Sequence, residues 1–77
     1  MEWLVLETLT DEKATYRYYP QHFEGYGLVS LMRKTGERVH DKPHPDVSSE
    51  YASHAWRRLE AYQESGNFPE RGMVAWY

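Results

Sequence analysis

The sequence predicts an α+β fold: a four- or five-stranded, mainly antiparallel sheet with one helix packed on one face, in the order β-β-β-β-α-β. Three observations carry this expectation. Short apolar or aromatic runs separated by turn-forming residues fill the first half of the chain. A single stripe of helical period follows. A last apolar run comes after a glycine and a proline. Consecutive strands joined by short polar connections pair as a meander, and a meander is antiparallel.

The first strand reads from Trp3-Leu4-Val5-Leu6, extending toward Leu9. Thr10-Asp11-Glu12-Lys13 has the profile of a hairpin loop. The run from Ala14 to Tyr19 is built of strand formers, and Pro20 closes it. Gln21 to Gly27 reads as a wider loop, and Leu28 to Met32 as the next strand. Arg33-Lys34-Thr35-Gly36-Glu37 is the best turn signal, a three-residue loop with Gly36 in the left-handed region. That register sets Arg33 against Glu37 and Leu31 against Val39. Val29, Leu31 and Val39 then share the core face; Leu28, Met32, Arg38 and His40 share the other. Pro43 and Pro45 exclude a regular element from Asp41 to Asp46.

The helix spans Ser49–Ser65. Ser48 is a cap, Glu50 suits the first turn, and Val47 and Ala52 stand at the positions of a hydrophobic staple. Tyr51, Ala52, Ala55, Trp56, Leu59 and Tyr62 fall on one stripe at spacings of three and four. Gly66 ends the helix and Pro69 prevents its resumption. Met73 to Tyr77 reads as a last strand. It pairs either in parallel through a right-handed crossover or with a sheet edge in the antiparallel sense.

The 77 residues make one domain, residues 1–77, with a small core. Three Trp, seven Tyr and two Phe enlarge it, since each buried aromatic removes roughly 150–250 Å² from water. Nine Lys plus Arg against twelve Asp plus Glu give a formal net charge of -3, which argues against a protein living on nucleic acid or anionic lipid. With no cysteine there is neither a disulfide nor a Cys-based zinc site. No apolar run approaches the ~18 residues of a membrane span, and no secretory leader follows Met1, so a cytoplasmic location is expected.

Residues with chemical potential each have a plainer use. His40, Asp41, His44 and Asp46 could hold a divalent ion, but Pro43 forbids a helical two-His motif, and the segment reads as a solvated loop. Glu50, His54 and Arg58 are four residues apart and read as flank pairs on a helix. No Gly-rich phosphate loop or Gly-flanked nucleophilic serine is present. No cofactor or metal is expected, and no catalytic residue is assigned. Tyr16, Arg17, Tyr18 and Tyr19 on one strand could stack single-stranded bases, with Arg33, Lys34 and Arg38 adding charge. Packing of a small sheet is the simpler use of those rings.

Several strands are apolar on both faces, whereas one helix hides only one. The chain is therefore expected to be a small non-enzymatic protein-interaction module. It would self-associate as a homodimer, or dock on a partner, through Leu28, Met32, Tyr16, Tyr18, Tyr19, Trp76 and Tyr77. The alternatives are a nucleic-acid-binding or regulatory module using the tyrosine strand, and a small metal-dependent enzyme or subunit using His40, His44 and Asp46.

Overall fold

The computed structural model describes residues 1–76. The elements run β1 (Glu2–Leu9), β2 (Lys13–Pro20), β3 (Gly27–Met32), β4 (Arg38–Lys42), α1 (Glu50–Ser65) and β5 (Arg71–Val74). The strands form one sheet in the order β4-β3-β2-β1-β5, and every pairing is antiparallel. The antiparallel alternative for the last strand is thus the one found: β5 lies along the outer edge of β1. It is shorter than the sequence suggests and shifted toward the helix, and Tyr77 lies outside the described residues.

Local chemistry builds the β1–β2 hairpin. The Thr10 hydroxyl accepts the Lys13 N–H at 3.0 Å and the Glu12 N–H at 3.2 Å, while Thr10 N donates to Lys13 O at 2.9 Å. The next hairpin departs from the expected register. Met32 N donates to Glu37 O at 2.9 Å and Gly36 N donates to Met32 O at 2.8 Å, so the loop holds four residues, Arg33 to Gly36. Arg33 cannot pair with Glu37, because its N–H goes to Glu12 O of the neighbouring hairpin at 2.7 Å. Its guanidinium is held as well, by Gln63 Oε1 at 3.0 Å and Thr10 O at 2.7 Å.

A one-residue slip exchanges the faces of a strand. Ser30 stands against Val39 and Leu31 against Arg38. Arg38 and His40 therefore turn toward the helix, where Arg38 forms a two-pronged pair with Glu60 at 2.9 Å and His40 lies 5.3 Å from the Trp56 ring. This corrects the expectation that both share a face with Leu28 and Met32, and that Val39 lines the core. β4 also runs on through Asp41 and Lys42, stopping where Pro43 removes a donor.

Helix α1 packs on one face. Ala52, Ala55 and Leu59 are fully buried against Leu4, Tyr16, Tyr18, Val29 and Leu31. The two alanines let the helix axis approach the sheet closely. Trp56 sits at the margin and donates its indole N–H to Ser30 O at 3.1 Å. The helix begins one residue later than expected, with Ser49 at the N-cap position; the Ser48 hydroxyl meets only the Glu50 N–H, at 3.4 Å. Gly66 ends it at φ 80°, with the N–H groups of Gly66 and Asn67 on Tyr62 O.

Candidate functional site

Strand alternation divides the sheet cleanly. Leu4, Tyr16, Tyr18, Val29, Leu31 and Val74 face the helix. Their neighbours Trp3, Val5, Arg17, Tyr19, Leu28 and Met73 face the other way, where no helix among the described residues covers them. Trp3 and Met73 are cross-strand partners on this open face, 43% and 49% exposed.

The open face is not uniformly apolar. Thr15 and Ser30 stand opposite each other, and their hydroxyls are 2.7 Å apart. Ser30 donates to Asp41 Oδ2 at 2.5 Å, so Thr15 must donate to Ser30. Lys13 approaches the other oxygen of Asp41 at 3.4 Å. This chain ties β2, β3 and β4 in one register and uses every polar atom it shields. Beside it Arg17 donates to Glu7 at 2.7 Å and to the Tyr19 hydroxyl at 3.3 Å. Arg17 and Lys42 both lie against the Tyr26 ring, 4.6 Å and 4.3 Å from its centre, and Tyr26 packs on Tyr19 at 5.5 Å.

Of the residues expected at an interface, Leu28, Met32 and Tyr19 lie on this face and are half-buried. Tyr16 and Tyr18 do not. Both are fully buried under the helix, where the Tyr16 hydroxyl donates to Pro69 O at 2.5 Å, so neither is free for a partner or a base. Trp76 lies on the helix side, stacked on His54 at 4.1 Å and edge-on to Tyr51 at 4.9 Å. Sequence reasoning missed Trp3, Val5, Met73, Tyr26, Lys42 and Arg71. The signal was the alternation of β1: once Leu4 and Leu6 are assigned to the core, Trp3 and Val5 must face outward.

The histidine segment is built inward. The Tyr18 hydroxyl accepts the backbone N–H of His44 at 3.1 Å and shares a second hydrogen bond with His40 Nε2, 2.9 Å away. Burial lowers the His40 pKa below its ordinary 6.5, against a weaker opposing effect of Asp41, and so favours the neutral imidazole. Buried His44 accepts the Asp46 N–H on Nδ1 at 3.1 Å and donates Nε2–H to Glu24 O at 2.7 Å. Asp41 points through the sheet to the open face. The four residues do not converge, and among the described residues no three His, Asp or Glu side chains are grouped to hold a metal.

One chemically unusual group was not anticipated. Glu2 is fully buried on the helix-covered face, and neither carboxyl oxygen has a hydrogen-bond partner among the described residues. Desolvation drives its pKa up to about 8; the Met1 ammonium opposes this more weakly. Glu2 shares the parity of Leu4 and Leu6, so the alternation that locates Trp3 locates Glu2 as well.

No helix among the described residues is long and apolar enough to cross a membrane. Comparison with known proteins gives no matching family, no matching curated protein and no matching solved structure.

Proposed function

We propose that this chain is a small, cytoplasmic, non-enzymatic interaction module working through the open face of its sheet, on another protein or on a second copy. The observation that carries the reading is the exposed cross-strand pair Trp3–Met73, continued inward by Val5, Tyr19 and Leu28. An apolar strip of this kind on a small chain is characteristic of a surface that acquires a cover. Tryptophan, tyrosine, methionine and arginine are also the side chains enriched at protein interfaces. The nucleic-acid alternative loses its platform, since two of the three strand tyrosines are core residues.

Light scattering at micromolar concentration separates the two forms of the reading. A mass of 9.2 kDa assigns the face to another protein; twice that mass assigns it to a second copy. A dimer should then revert to monomer on Trp3→Lys or Met73→Lys. A dimer indifferent to both substitutions uses a different surface and sinks the reading.

A further inference from the structure

The charges on the open face are ordered. Cross-strand register places Arg71 beside Val5, Val5 beside Arg17, Arg17 beside Leu28 and Leu28 beside Lys42. One row across all five strands thus alternates cation and aliphatic: Arg71, Val5, Arg17, Leu28, Lys42. Strands lie ~4.8 Å apart, so successive cations are roughly 10 Å apart. The adjacent row is Met73, Trp3 and Tyr19, with Tyr26 packed on its end. By register the face carries four cations, with Lys13, against three carboxylates, Glu7, Asp41 and Glu37, which stands opposite Met32, a balance of +1. The rest of the chain holds five Lys plus Arg against nine Asp plus Glu, a balance of -4. The surface the helix leaves bare thus carries a net positive charge, while the remainder of the chain is acidic.

We infer that this face binds an acidic segment of another protein, laid across the strands with its carboxylates on Arg71, Arg17 and Lys42 and apolar side chains on Trp3, Val5 and Leu28. The inference rests on the interaction-module reading and names its partner. A second copy related by a two-fold axis would set one net-positive face against another, which electrostatic complementarity disfavours. Single-stranded nucleic acid needs free ring faces for stacking. Here Tyr26 is engaged by two cations and by Tyr19, which leaves Trp3 as the open ring among the described residues of this face. An acidic polypeptide meets both demands. In the polyproline II conformation a chain returns to the same side every third residue, after ~9.3 Å, which matches the cation row.

The test is selection from a random dodecapeptide library on the intact protein. Peptides synthesised from the selected pool are then titrated against Trp fluorescence at low and physiological salt. Expected are peptides with Asp or Glu at three-residue intervals beside aliphatic or aromatic residues. Their affinity should fall about tenfold or more on Arg71→Glu or Lys42→Glu and weaken with salt. Arg71 is exposed and its side chain makes no hydrogen bond or ion pair among the described residues, so its variant should stay folded and keep the experiment decisive. Selected peptides that are neutral or basic, yet lost on Trp3→Lys, overturn the acidic partner and leave the interaction-module reading standing. Binding indifferent to Trp3→Lys overturns both, as does a library that yields no binder. Tighter binding of single-stranded oligo(dT), abolished by Arg71→Glu, overturns the inference in favour of nucleic acid. A dimer that Trp3→Lys dissociates overturns it in favour of a second copy.

Discussion

Raising the pH from ~5 to ~8 should cost this fold several kcal/mol of stability, and Glu2 is the cause. Its carboxyl titrates near 8 in the folded protein against an ordinary 4.5. A shift of about 3.5 units at ~1.36 kcal/mol per unit is on the order of 5 kcal/mol. The sign follows from which state holds the proton. Below pH 4.5 both states hold it and there is no penalty. Between that pH and about 8 the folded state keeps the proton and the unfolded state releases it, so stability falls by ~1.4 kcal/mol per pH unit. Above about 8 both are ionised and the loss is complete. His40 has the opposite sign: its pKa is lowered by folding, so it removes stability as the pH drops below its ordinary 6.5. Glu2→Gln isolates the carboxyl, because it keeps the shape and leaves His40 untouched. Urea unfolding followed by Trp fluorescence, at several pH values and constant ionic strength, should show a falling stability in the parent that Glu2→Gln flattens above pH ~6.5. Glu2→Leu should be more stable than the parent at pH ~8 by a sizeable part of the ~5 kcal/mol, since it buries no polar atom. Parallel pH profiles for parent and Glu2→Gln would refute the assignment.

Other expectations test the packing and the histidine segment. A Cβ on Gly27 would lie 2.1 Å from the Tyr18 ring, so Gly27→Ala should lower stability by roughly 1–3 kcal/mol; an unchanged melting temperature would mean the ring does not lie across that strand. Leu59→Ala should cost roughly 2–5 kcal/mol, measured by chemical denaturation, and a parent-like midpoint would place the helix stripe elsewhere. Adding zinc should leave the melting temperature in place, because His40 and His44 spend ring nitrogens on Tyr18, Asp46 and Glu24. A rise of several degrees, lost on His44→Ala, would show that the segment reorganises around an ion.

Features with a local cause were legible in the sequence. The helix stripe, Gly66 at its end, Gly36 with φ 79° and the order of strands all follow from periodicity and turn chemistry within a few residues. The register of β4 was not, because it is set by the contact from Arg33 N–H to Glu12 O, between two hairpins distant in sequence. Tyr16 and Tyr18 were misplaced for a related reason. The Gln21–Tyr26 connection fixes no register between β2 and β3, and a tyrosine suits either a core or a surface. Only the pairing of Tyr16 with Val29 and Tyr18 with Gly27 sends both under the helix. The open-face residues Leu28 and Met32 were found because their strand parity is opposite to that of Val29 and Leu31. The cation row could not be found, since it is a property of register across five strands.

The position of β5 bears on how the chain folds. The meander from β1 to β4 is made of neighbours in sequence, and the helix docks on strands that precede it closely. The β1–β5 ladder is the exception: it brings Glu2 against Val74 across nearly the whole described chain. Closing that long loop costs entropy before its few backbone bonds return any, so it belongs late on the folding path. Until it forms, β1 is a bare edge with unpaired backbone groups, open to pairing with another chain. Substitutions in β5 should therefore speed unfolding while leaving the folding rate nearly unchanged, the kinetic signature of an element that arrives after the barrier.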